Sequence, residues 1–110
     1  MTTISFYLDE HDKLMGFEAK DHAGFANSGK DIVCSAISVL TINTINSFDE
    51  LLHADVSLKS DETTGYIDFK VTDYDNESAQ LLLKSLKLGL EGVCESYPKY
   101  LKLTNRRCKP

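Results

Sequence analysis

In Asp31-Ile32-Val33-Cys34-Ser35-Ala36-Ile37-Ser38-Val39-Leu40-Thr41-Ile42-Asn43-Thr44-Ile45-Asn46 the apolar residues Val33, Ile37 and Leu40, with Ile32, Ala36, Val39 and Ile42 beside them, recur at spacings of three and four. That period predicts a helix. The many β-branched residues, Ile32, Val33, Ile37, Val39, Thr41, Ile42, Thr44 and Ile45, favour a strand on propensity. Length decides against it: the tract exceeds an ordinary strand, and Asp31 stands where an N-cap belongs. Burial of most of the helix circumference would reconcile pattern and propensity.

Upstream, residues 21–30 break every periodicity with two glycines, an Asn and a Ser, which predicts a long, flexible glycine-rich loop. Before it, Ile4, Phe6 and Leu8 alternate with Ser5 and Tyr7, and the polar Asp9–Lys13 leads into Leu14–Lys20. The pattern is that of a β-hairpin. Downstream, Ala54–Lys59 and Tyr66–Val71 alternate again around a polar turn, giving a second hairpin. Asp75 or Asn76 caps a second helix in which Ala79, Leu82, Leu83, Leu86, Leu90, Val93, Cys94 and Tyr97 form one stripe, ended by Pro98. Gly89 and Gly92 interrupt that helix and suggest a close approach by another backbone. Lys99–Thr104 alternates once more. The order is ββαββαβ, an α+β two-layer sandwich with two helices packed on one face of a mainly antiparallel sheet.

The chain has 110 residues, a formal charge of −5, 42% hydrophobic residues and no Trp, consistent with a single domain over residues 1–110 and inconsistent with disorder. Met1–Ser5 lack a basic, apolar leader and no run approaches about 18 apolar residues, so a cytoplasmic protein without a membrane span is expected. Residues 99–110 carry five bases and no acid, leaving −10 for residues 1–98. An acidic body disfavours nucleic-acid phosphate and either steers a basic protein or peptide partner or simply keeps the chain soluble. The polar residues 105–110 read as a frayed basic tail.

Cys34, Cys94 and Cys108 form neither an even set nor a CxxC pair, so no disulfide framework or zinc site is expected. With Asp31 as N-cap, Cys34 falls in the first helical turn, where unpaired amides and the helix dipole favour a thiolate. The alternative is a small buried apolar residue. His22, in the loop before the helix, is the one histidine able to reach back to Cys34 and exchange its proton. Asp31 and Ser38, at i−3 and i+4, share the face of Cys34. Ser38 can hydrogen-bond near the thiolate, while Asp31 either caps the helix or orients His22. Loop residues including Gly24 and Gly29 offer amides to an oxyanion and room to move, or are a plain connection. His11 and His53 lack partners at metal-ligand spacing and read as surface or capping residues. Gly24–Asp31 imitates a phosphate loop, but Asp31 stands where Ser or Thr is required.

The segments Asp21-His22-Ala23-Gly24 and Gly29-Lys30-Asp31-Ile32-Val33-Cys34-Ser35-Ala36-Ile37-Ser38 resemble the ribosomal-processing cysteine protease family, Prp (YsxB-like), and the likeness spans nearly the whole chain. The resemblance implies a homodimeric cysteine endopeptidase that removes the N-terminal extension of a bacterial large-subunit ribosomal protein and needs no cofactor or metal. It implies Cys34 as nucleophile, His22 as general base and acid, Asp31 and Ser38 in support, and Ala23, Gly24 and Gly29 in the substrate loop. Direct nucleic-acid or membrane binding is not implied. One departure stands out: Asp21 occupies a position where the family commonly has Gly. Its charge would favour an imidazolium at His22 and hence a thiolate at Cys34. The readings left beside this one are a ribosome-associated binding module with a buried Cys34 and a redox-sensing thiol protein.

Overall fold

A computed structural model of the chain describes residues 1–21 and 28–109. In chain order its elements are β1 Thr2–Leu8, β2 Leu14–Asp21, α1 Ser28–Glu50, β3 Val56–Asp61, β4 Tyr66–Val71, α2 Glu77–Ser96 and β5 Leu101–Arg107. The ββαββαβ order and both hairpins are as expected. The strands form one sheet in the order β3-β4-β2-β1-β5. Every pairing is antiparallel except that of β1 with β5, which is parallel.

Alternation along the strands decides which face the helices cover. Ile4 and Phe6 of β1, Phe17 and Ala19 of β2, Phe69 and Val71 of β4 and Leu101 of β5 are buried with Val33, Ile37 and Phe48 of α1 and Ala79, Leu83, Leu86 and Leu90 of α2. Phe17, Phe48 and Phe69 meet ring to ring, with centroids 5.4–5.6 Å apart. Asn76 is the N-cap of α2, its side chain accepting from the Ala79 amide at 2.9 Å.

Helix α1 departs from the sequence reading in two ways. It begins at Ser28, so Asp31 is its fourth residue and not its cap. Residues 28–30 lie within the helix, because extending a nucleated helix adds one hydrogen bond per residue fixed. Nor is most of its circumference buried: Ile32, Val39 and Ile42 are each at least half exposed. Its β-branched residues are reconciled differently. Thr41 and Thr44 face the core and hand their hydroxyls to the carbonyls of Ile37 and Leu40, both at 2.8 Å, so no polar atom is stranded. By length and composition Ile32–Glu50, 19 residues of mean hydropathy 1.3, is long and apolar enough to cross a membrane, contrary to the sequence expectation. Within that stretch Val33, Ile37 and Phe48 are buried in the core against the sheet.

The face of the sheet away from the helices is polar. Glu18 sits there almost fully buried, accepting from Tyr66 at 2.9 Å and Arg106 at 3.2 Å. Tyr7 donates to Asp68 at 2.9 Å, with the Lys70 ammonium 4.7 Å from its ring centre. The expected frayed tail is corrected by the same network. Arg106 and Arg107 belong to β5, Arg107 binding Asp12 at 2.6 Å and the Asp9 carbonyl. The parallel register that sets Tyr7 against Arg106 and Leu8 against Arg107 holds them in the sheet.

Candidate active site

Cys34 lies on α1, half-buried, in its second turn. A helix leaves its first four amides unpaired, and Cys34 is already the seventh residue of α1. The amide of Cys34 is therefore inside the helical ladder and not among the unpaired ones.

Ser38 is one turn further along and exposed. Cys34, Ser38, Ile42 and Ile45 follow one another at helical spacing on the side of α1 that faces the β3–β4 hairpin. Ser38, Ile42 and Ile45 form one wall of a groove of about 430 Å³; Leu58 on β3 and Ile67 on β4 form the other. The groove continues the line of the thiol along the helix. These strand residues were legible in the sequence only as members of a hairpin, and nothing local marks them as lining a groove.

His22, Ala23 and Gly24 lie outside the described residues, as does the side chain of Asp31. Gly29 is the second residue of α1. Of the sequence-derived set, then, the structure describes Cys34 and Ser38 side by side on one helix face. His11 is an exposed residue of the β1–β2 turn, and His53 is an exposed residue with φ 50 just beyond α1. Both positions fit the surface and capping roles expected. Cys94 has a structural setting, its thiol 3.2 Å from the Leu101 carbonyl oxygen and packed against the core. Among the described residues no group of three or more His, Cys, Asp or Glu is placed to hold a metal ion.

A family model described as cysteine protease Prp matches residues 1–102, a span that includes both motif segments. The chain belongs to the cysteine protease Prp family. It is 31% identical over 99 residues to the ribosomal processing cysteine protease Prp of Bacillus subtilis, covering 86% of this chain and 88% of that protein. It is also 24% identical over 103 residues to the protein of the same name from Staphylococcus aureus, covering 94% and 97%. Among solved structures, SMU.848 of Streptococcus mutans superposes with a TM-score of 0.87 at 29% identity, covering 98% of this chain and 99% of that one. The essential ribosomal processing protease Prp of S. aureus, crystallised with a substrate peptide, superposes at 0.89 with 23% identity, covering 96% of this chain and all of the other. That second likeness bears on the fold, and the ββαββαβ sandwich is the shared one.

Proposed function

We propose that this member of the Prp family is a cysteine endopeptidase that removes the N-terminal extension of a bacterial large-subunit ribosomal protein. The observation that carries the reading is the family match over residues 1–102, within which Cys34 and Ser38 share one face of α1 and Ser38 lines a groove.

The chemistry follows from the residue types. His22 takes the Cys34 proton, and the thiolate attacks the scissile carbonyl carbon, forming a C–S bond and pushing an electron pair onto oxygen. Collapse of that tetrahedral species expels the amine, which leaves with the proton held by His22. Water, deprotonated by the same imidazole, then cleaves the thioester, releasing the new carboxylate and restoring the thiol. Asp31 and Ser38 support this pair. Ala23 and Gly24 belong to the substrate loop and Gly29 follows it at the start of α1, and amides of this stretch hold the oxyanion. Asp21 adds a negative charge beside His22 and so favours the thiolate–imidazolium pair.

A ribosomal substrate puts the enzyme in the cytoplasm, acting on protein and not on nucleic acid or membrane. Self-association into a homodimer is supported by exposed apolar side chains on both helices, Ile32 and Val39 on α1 and Leu81 and Leu88 on α2.

The test is mass spectrometry of a peptide copying the extended ribosomal-protein N-terminus, incubated with the wild type, Cys34→Ala and His22→Ala under reducing conditions. Cleavage at one site by the wild type alone is expected. An intact peptide with all three proteins folded would return the weight to a binding module.

A further inference from the structure

The face of the sheet opposite α1 and α2 has no element packed over it among the described residues. Alternation and register put on it Lys59 of β3, Lys70 of β4, Lys20 of β2, and Lys102 and Arg106 of β5. All five are exposed. The acids of the same face are Glu18, Asp61 and Asp68, of which Asp61 alone is exposed. Glu18 is already answered by Arg106 and Lys20, and Asp68 accepts the Tyr7 hydroxyl at 2.9 Å. Lys59, Lys70 and Lys102 make no ion pair among the described residues. Of the chain's 12 bases and 17 acids this face carries five and three, leaving seven and fourteen elsewhere.

The net charge of −5 therefore averages over two unlike sides. Exposed charges more than a Debye length apart, about 8 Å at physiological ionic strength, are largely screened from one another. The helix layer is itself about 10 Å thick, so acids on its outer side act weakly on an anion approaching the sheet. The repulsion of phosphate expected from composition does not extend to this face.

The kind of anion follows from what the face lacks. A protein partner is gripped through a buried apolar or aromatic centre. Among strand residues Leu58 is the one large apolar side chain exposed to water, and it shares the side of Phe69, with the helices. Tyr7 is 3% exposed, with Lys70 and Arg106 at 4.7 and 5.7 Å from its ring centre, and Tyr66 is half-buried with its hydroxyl on Glu18. A charged sheet with neither an apolar anchor nor a free ring suits a sugar-phosphate backbone, whose binding is electrostatic and independent of sequence. Single strands, which stack their bases on exposed rings, fit it less well than a double helix. Strands lie about 4.8 Å apart, so the cations from β3 to β5 span about 19 Å, enough to meet phosphates on both sides of the shallow minor groove of an RNA helix.

We propose that the helix-free face of the sheet docks the phosphate backbone of double-helical RNA, with Lys59, Lys70 and Lys102 as its free phosphate-contacting groups. The choice of RNA over DNA rests on the protease reading above, in which the substrate is a protein that itself lies on RNA. The RNA is held and not cut. Because Cys34 is on α1, across the sheet from this face, RNA and peptide are held at the same time without competing for one surface.

The test is fluorescence anisotropy of a labelled RNA duplex of about 20 base pairs, titrated with the full chain between about 50 and 200 mM salt. With three free lysines on phosphates, the affinity of the wild type is expected to fall about 40-fold over that range. Lys59→Gln/Lys70→Gln and, as a control on α2, Lys84→Glu each lower the net charge by the same amount. The double variant is expected to bind at least tenfold more weakly with a salt slope shallower by about two, and the control to bind like the wild type. Equal losses in the double variant and the control would make binding a matter of overall charge and overturn the docking face, as would a wild type that binds no RNA. Tighter binding of the corresponding DNA duplex, or of poly-glutamate, would assign the face to another polyanion and overturn the RNA reading. Cleavage of the extended ribosomal N-terminal peptide is measured on the same preparation. Cleavage without RNA binding removes the docking face and leaves the protease reading, whereas RNA binding without cleavage removes the protease reading alone. Should circular dichroism show the double variant unfolded, Lys102→Gln decides, with an expected slope shallower by about one.

Discussion

The hydroxyl of Tyr66 on β4 donates a 2.9 Å hydrogen bond to Glu18 on β2, and Arg106 on β5 holds the other carboxylate oxygen at 3.2 Å. Burial pushes the Glu18 carboxyl up, but the Tyr66 hydroxyl and the charges of Arg106 and Lys20 outweigh it and hold the carboxyl below its ordinary value. Tyr66 is raised to about 12, chiefly by that hydrogen bond and then by desolvation.

The signs give a pH prediction. Folded Glu18 binds its proton more weakly than unfolded Glu18, so its stabilisation is complete above the unfolded value and is lost as pH falls through the folded one. Folded Tyr66 binds its proton more tightly, so its share is complete below the unfolded value and is lost as pH rises towards the folded one. Thermal stability should therefore fall on both the acid and the alkaline side. Glu18→Gln should flatten the acid limb and cost about 1–2 kcal/mol at neutral pH, and Tyr66→Phe should flatten both limbs. Melting curves with unchanged slopes in these variants would contradict the assignment.

Gly16 of β2 pairs with Tyr7 on one side and Lys70 on the other. A Cβ there would stand 1.9 Å from the Phe69 carbonyl oxygen, a backbone atom that cannot rotate aside. Gly16→Ala should destabilise the protein by about 3 kcal/mol or more through strand displacement. A urea midpoint close to that of the wild type would show that the central strands tolerate separation.

The two glycines of α2 should respond differently. A Cβ on Gly92 meets nothing within 4 Å, so Gly92→Ala should raise stability by about 0.5–1 kcal/mol through helix propensity alone. On Gly89 a Cβ would stand 3.1 Å from Leu40 of α1, a side-chain end able to yield slightly. Gly89→Ala should fall near neutral, whereas Gly89→Val should separate the helices and cost about 1–3 kcal/mol. Equal effects of Ala at both positions would disprove the role assigned to Leu40.

Thiol reactivity provides a further check. Cys94 is tied to the Leu101 carbonyl and packed on the core, while Cys34 faces the groove side of α1. Iodoacetamide at neutral pH should label Cys34 at least tenfold faster than Cys94, and His22→Ala should remove most of that advantage. Asp21→Gly should slow Cys34 labelling if the aspartate favours the ion pair. Equal labelling of Cys34 and Cys94 would count against a catalytic thiol.

Element order was legible in the sequence because periodicity is local: Ile4, Phe6 and Leu8 face one way in any strand, and Leu83, Leu86 and Leu90 share a face in any helix. The same locality made the Cys34 and Ser38 pairing readable. Whatever depends on residues distant in the chain had to wait for the fold. The start of α1 at Ser28 was hidden because Ser28-Gly29-Lys30 carry loop-like residue types that a growing helix absorbs. Arg106 looked like part of a frayed tail because its partner, Glu18, is 88 residues away, and only the parallel pairing of β5 with β1 brings them together. The groove is the clearest case. Ile42 and Leu58 read as ordinary apolar members of a helix and a strand, and only the packing of α1 beside the β3 edge leaves a gap between them; spacing along a chain encodes which face a side chain occupies, not what stands opposite that face.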